Sequence, residues 1–201
     1  MNLSVYFVTP DGAPDDLILA ALRGGAGVIQ LRDKTATDDE MIAQARRIKP
    51  AIAAAGALLI INDRLPVALA VAADGLHIGQ GDGDVRQVRA AIGPDMILGL
   101  SIETRAQLAA MPADVVDYIG AGPVRATATK PDHALPMGMD GLARIVDASG
   151  VPVVAIGGLG LADVAALQDM GCAGLAVVSA IAGAADPFSA TRAFVTAWGR
   201  K

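Results

Sequence analysis

The sequence predicts a single-domain, closed (β/α)8 barrel of the TIM type spanning residues 1–201. Three observations lead there. Eight short β-rich runs recur with helical patterns between them, as parallel strands joined by crossover helices require. The 201 residues are 53% hydrophobic but only 3% aromatic, a balance that suits a layered α/β core and argues against a disordered or aromatic-rich binding module. Unusual polar residues also gather where the strand-like runs end, which is where such barrels carry their chemistry.

Taken in order, the strand-like runs are LSVYFVT, GVIQLR, ALLIIND, GLHIG, ILGLS, YIGAGPV, VPVVAIGG and GLAVVSAI. Helix-like segments follow, among them DDLILAALRGG, DEMIAQARRIKPAIAAAG, PVALAVAA, DVRQVRAAIG, DVAALQDMG and PFSATRAFVTAWGR. Asp38 to Glu40 form a charged first turn that suits the helix dipole. Pro66 stands near the start of its helix, where proline is tolerated. Pro50 falls inside the second helical stretch and predicts a kink or break there. An open doubly wound sheet is the alternative, but no topological switch point is marked. The string GGLGLAD lacks the third glycine of a dinucleotide fingerprint.

Composition narrows the function. The longest apolar runs, such as AIAAAGALLII, stop short of the roughly 18 residues a membrane span needs. The start, MNLSVYFVTP, has no basic region and reads as a strand, not a signal peptide. One cysteine, Cys172, excludes an intramolecular disulfide framework and fits the cytoplasm; in MGCAGLAVV it reads as a small core residue. A net charge of −5 argues against a general nucleic-acid grip. Any anionic ligand therefore needs a local cluster of cations.

Such a cluster is visible in GVIQLRDK, Gly27 to Lys34. Alternation places Gln30, Arg32 and Lys34 on one face, and unpaired buried cations cost several kcal/mol, so they need a partner. Asp33 faces the other way in an extended chain, which leaves an external polyanion as the better partner. The other strand ends add Asn62, Asp63 and Arg64, then Gln80 and Asp82, then Ser101, then Thr127, Thr129 and Lys130, then Gly157 and Gly158, with Ser179 in the eighth strand. Plainer readings exist for each: Asp63 or Ser101 as helix caps, Asn62 as an Asx-turn. His77 reads as a satisfied histidine inside the barrel, His133 as a solvated loop residue, and Met137 and Met139 as loop-surface filling. Asp63 and Asp82 together suit magnesium, which is usually held by one or two carboxylates with substrate phosphates. The glycines of AIGGLG and Ser179 of GLAVVSAI resemble the phosphate site that barrels build on strands seven and eight, with tight packing as the plainer account of Gly157. The connection RATATKPDHALPMGM between them is long and aperiodic, as functional lids are. Two anion sites at one mouth imply two phosphorylated substrates or one bisphosphate.

The motifs QLRDK, INDR, DGLHIGQGD, GLS, DYIGAGPV followed by TATK, VVAIGGL and VVSAI, in this order, resemble the thiamine phosphate synthase family across nearly the whole chain. That resemblance implies coupling of hydroxymethylpyrimidine diphosphate to a thiazole phosphate, with pyrophosphate released and magnesium (Mg2+) required. It implies that Gln30, Arg32, Lys34, Asn62, Ser101 and Lys130 bind the pyrimidine diphosphate, with Arg32, Lys34 and Lys130 serving catalysis. Asp63 and Asp82 would hold the metal, and Thr127, Thr129, Gly158, Val178 and Ser179 the thiazole phosphate. The family usually carries an aromatic residue and a proline after GPV, whereas this chain has Arg125 and Ala126, expected to be a variant of the lid. A thiazole tautomerase and a non-catalytic barrel that binds thiazole phosphate are the competing readings. Oligomeric state is not legible.

Overall fold

The computed structural model describes residues 1–126 and 135–199. Eight strands close into a parallel barrel in sequence order, with β1 paired to both β2 and β8. They are β1 Val5–Val8, β2 Val28–Leu31, β3 Leu58–Asn62, β4 Gly75–Ile78, β5 Ile97–Ile102, β6 Tyr118–Ala121, β7 Val153–Ile156 and β8 Gly174–Val177. The outer helices are α1 Asp15–Gly24, α2 Asp38–Ala54, α3 Leu65–Ala70, α4 Val85–Ile92, α5 Arg105–Ala110, α6 Gly138–Ala148, α7 Val164–Asp169, α8 Ser179–Ala182 and α9 Pro187–Trp198.

Strand alternation splits the core in two. Outward residues such as Val5, Phe7, Ile29, Leu59, Ile61, Leu76 and Leu98 pack against the helices. Inward residues Tyr6, Val8, Val28, Ile60, Tyr118, Val154 and Ala176 fill the barrel itself. Local chemistry starts the helices. Thr37 and Glu40 form a reciprocal capping box on α2, and the Asp84 side chain accepts from Gln87 N–H at the start of α4.

Three expectations change. Of the kink or break expected at Pro50, the break does not occur: helix α2 runs through it, its missing N–H removing one ladder bond while Met41, Ala45, Ile48 and Ile52 bury the helix on both sides of it. Ser179 does not lie in the eighth strand; β8 ends at Val177 and Ser179 opens the short helix α8. Met137 and Met139 are not loop filling, because α6 begins at Gly138 and both side chains pack onto the outer core. Cys172 is buried, and burial pushes its thiol up to about 11, which suits a core residue. Among the described residues, no helix is long and apolar enough to cross a membrane.

Candidate active site

The strand ends open into one cavity of about 700 Å³. Gln30, Arg32, Lys34, Asn62, Asp63, Asp82 and Ser101 line it, and Gly158, Val178 and Ser179 line it too. Thr127, Thr129, Lys130 and His133 lie outside the described residues.

The two cations after β2, expected to find their partner outside the chain, are held by carboxylates that follow the neighbouring strands. Arg32 Nη1 donates to Asp11 Oδ1 at 2.9 Å, and the backbone N–H of Lys34 donates to the same oxygen at 2.9 Å. Thr9 braces the strand end: its hydroxyl donates to the Arg32 carbonyl and accepts from the Arg32 N–H, each at 2.9 Å. The Lys34 ammonium donates to Asp63 Oδ2. Asp33 takes no part in this. Its carboxylate accepts from the N–H groups of Gly12, Thr35 and Ala36 and from the Thr35 hydroxyl. Burial opposes its charge, but those donors outweigh it and bring the carboxyl down to about 2. Arg64 turns away from the mouth to pair with Asp38 at 2.7 Å and to donate to the Asp33 carbonyl.

Asp63 is the electrostatically stressed group. It sits at φ 60°, directly after β3, and is not a helix cap, since Arg64 holds that position for α3. Burial raises its carboxyl above the ordinary range; the Lys34 ammonium lowers it, and the neighbouring Asp82 raises it again. Asp82 also accepts from the Gly79 N–H at 2.7 Å. No group of three or more metal-ligating side chains occurs among the described residues. Two hard carboxylates with a charge conflict nonetheless fit magnesium, which completes its shell with water and substrate phosphates. Ser101 is not a cap either, because Thr104 caps α5.

On the opposite wall the chain turns sharply after β7. Gly157 and Gly158 have φ 99° and 66°, and a Cβ on Gly157 would fall 2.6 Å from Pro123 Cα, so packing alone accounts for that glycine. Arg125 points at this turn and not into the cavity. Its guanidinium makes two bonds to Asp163, at 2.9 and 2.7 Å, and one to the Gly158 carbonyl at 3.1 Å.

His77 is buried inside the barrel and hydrogen-bonded to Tyr118 and Ser101, as its sequence context suggests, whereas sequence reasoning missed Asp11 and Thr9, which carry no motif, and the two tyrosines of the cavity floor. Tyr6, Tyr118 and His77 form that floor, and the two tyrosines could have been noticed as phenols at inward positions of interior strands.

Fold and mouth together define a TIM-barrel protein with a charged site: two cations, two carboxylates and a glycine turn converge on one cavity at the C-terminal ends of parallel strands. A family model for thiamine monophosphate synthase matches residues 5–181. The chain is 45% identical to the thiamine-phosphate synthase of Psychrobacter sp. strain PRwf-1 over 96% of this chain and 94% of that one. It is 46% identical to that of Laribacter hongkongensis strain HLHK9 over 96% and 93%. Among solved structures, thiamine phosphate pyrophosphorylase from Pyrococcus furiosus superposes with a TM-score of 0.89 at 32% identity, covering 98% of this chain and 96% of that one. The chain belongs to the thiamine monophosphate synthase family.

Proposed function

We propose that the cavity joins hydroxymethylpyrimidine diphosphate to a thiazole phosphate, yielding thiamine phosphate and pyrophosphate. Membership of the family supports a transferase of thiamine biosynthesis. The observation that carries the substrate assignment is the convergence of Gln30, Arg32, Lys34, Asn62, Asp63, Asp82 and Ser101 on one wall of a single cavity, opposite Gly158, Val178 and Ser179.

In this reading Arg32 and Lys34 meet the diphosphate; Asp11 aims Arg32 at the cavity beforehand, and Lys34, paired with Asp63 here, would turn to the diphosphate once that carboxylate takes a metal. The preorganised charge of Arg32 needs no rearrangement as negative charge develops on the leaving group. Asp63 and Asp82 would hold magnesium, which supplies positive charge to the diphosphate oxygens. The bond between the pyrimidine methylene and the diphosphate oxygen breaks, and its electron pair leaves with pyrophosphate. The ring's amino group helps carry the positive charge left on carbon, and the thiazole nitrogen then bonds to that carbon. Gly158, Val178 and Ser179 would place the thiazole phosphate through backbone N–H groups, with Thr127 and Thr129 adding hydroxyls and Lys130 a further cation. No side chain acts as a nucleophile, so the enzyme contributes orientation and charge stabilisation. We place the reaction in the cytoplasm, where a lone buried thiol such as Cys172 stays reduced.

Calorimetry tests the clamp separately from turnover. Pyrimidine diphosphate binding is expected to depend on magnesium and to weaken in Asp63→Asn. Binding of thiazole phosphate alone, with no magnesium-dependent diphosphate binding, would favour a tautomerase or a non-catalytic carrier instead.

A further inference from the structure

We propose that Tyr6, Tyr118 and His77 are positioning residues. They form a directional hydrogen-bond relay, Gln30–Tyr6–Tyr118–His77–Ser101, that holds His77 as its neutral Nε2–H tautomer and leaves the Ser101 hydroxyl as a donor facing the substrate ring. The identity of that ring as an aminopyrimidine rests on the function proposed above; the relay itself does not.

The relay crosses five strands through the middle of the barrel. Gln30 Nε2 donates to the Tyr6 hydroxyl at 2.7 Å, and the Tyr6 and Tyr118 hydroxyls lie 2.7 Å apart. Tyr118 Oη is 2.9 Å from His77 Nδ1, and His77 Nε2 is 3.0 Å from Ser101 Oγ. An amide nitrogen can only donate, and each phenol has one hydrogen. Tyr6 is buried and its hydroxyl meets only Gln30 Nε2 and Tyr118 Oη among the described residues, so it accepts from Gln30 and its hydrogen goes to Tyr118, whose own hydrogen is left for His77 Nδ1. A neutral imidazole that accepts at Nδ1 carries its proton on Nε2, so Ser101 accepts there and its own hydrogen is left for the cavity that it lines. Burial raises both phenols well above their ordinary range, so neither breaks the sequence by ionising.

Mutual satisfaction of buried polar groups would be the plainer account of this chain. Two features go further. All five residues line the cavity, and the outermost two, Gln30 and Ser101, stand on its wall. The barrel also gives up a side chain to seat the rings: a Cβ on Gly99 would fall 2.2 Å from Tyr118 Cζ and 2.5 Å from His77 Nδ1. An apolar trio would fill the same space without burying three polar groups.

The direction of the relay has a consequence for recognition. Gln30, with its nitrogen bonded to Tyr6, offers its carbonyl oxygen as an acceptor, while Ser101 offers a donor. An aminopyrimidine supplies the complement, an exocyclic amine that donates and ring nitrogens that accept. A pyrimidinone in the same pose would set acceptor against acceptor, the kind of mismatch that polar sites reject strongly.

Long-range 1H–15N correlation on histidine-labelled protein near neutral pH reads the tautomer directly. The chain has two histidines, so His133→Asn assigns the signals. The expected wild-type pattern for His77 is Nε2–H. Tyr118→Phe is expected to shift it toward a mixture and to raise KM for the pyrimidine diphosphate about tenfold, the scale of one neutral hydrogen bond. KM for the thiazole phosphate should stay within about twofold. A wild-type Nδ1–H tautomer or imidazolium would overturn the relay even if Tyr118→Phe fails to fold. So would a folded Tyr118→Phe with unchanged His77 signals and pyrimidine KM. Absence of turnover beside an Nε2–H spectrum would contradict the assigned reaction while upholding the relay.

Discussion

The Arg32–Asp33–Lys34 triplet shows how neighbours along the chain take up separate tasks. Arg32 and Lys34 reach the cavity, and Asp33 folds back onto the loop that it ties to Gly12 and the start of α2. The folded carboxyl sits at about 2, below the value near 3.9 of an unfolded aspartate. Its contribution to stability is therefore complete above about pH 4 and fades as pH falls toward about 2. Asp33→Asn is expected to cost about 2 kcal/mol near neutral pH, because a charge-assisted acceptor of several N–H groups is lost. Thermal melts should show the gap between wild type and variant closing on acidification; a gap that holds constant to pH 2 would refute this role. The two cations could be read from alternation along β2. Their partners could not, since Asp11 lies 21 residues from Arg32 and Asp63 lies 29 from Lys34, brought together only by the pairing of β2 with β1 and β3.

At the level of elements, the root of the β6–α6 connection is pinned to the turn after β7. The Arg125 N–H donates to the Gly157 carbonyl at 3.0 Å, and its guanidinium grips Asp163, which also accepts from the Gly160 N–H at 2.8 Å. This ion pair braces the proposed phosphate turn. Asp163→Ala is expected to raise KM for the thiazole phosphate several-fold, while KM for the pyrimidine diphosphate stays put. Equal changes in both constants in steady-state assays would show that the brace is only structural. Strand existence was legible because buried β-branched runs alternate with helical periods. Ends were harder to read: Ser179 follows an apolar strand without punctuation, and only the burial of Val177 and the turn at Val178 separate it into α8. Pro50 does not end α2 for a related reason, since a local breaker yields to a helix buried on both sides of it.

Across the whole molecule, this acidic chain brings two of its sixteen lysines and arginines, Arg32 and Lys34, to the described lining of the mouth, beside Asp63, Asp82 and Glu103. With a net charge of −5, attraction for a polyanion has to be local, from Arg32 and Lys34 and from a metal ion that would offset the carboxylates, and not from the surface at large. The order of eight βα units was legible in the sequence, and so was the gathering of polar residues at one rim. The interior relay was not, because its members are scattered over five strands and meet only in the closed barrel. On the proposed reading this rim draws negative charge off a reacting carbon. Pyrophosphate release, followed with both substrates and magnesium present, tests it most directly. Wild type should release one pyrophosphate per thiamine phosphate formed, and Lys34→Ala should lower kcat/KM by about a hundredfold. No pyrophosphate from folded wild-type protein, or an undiminished rate in Lys34→Ala, would contradict it.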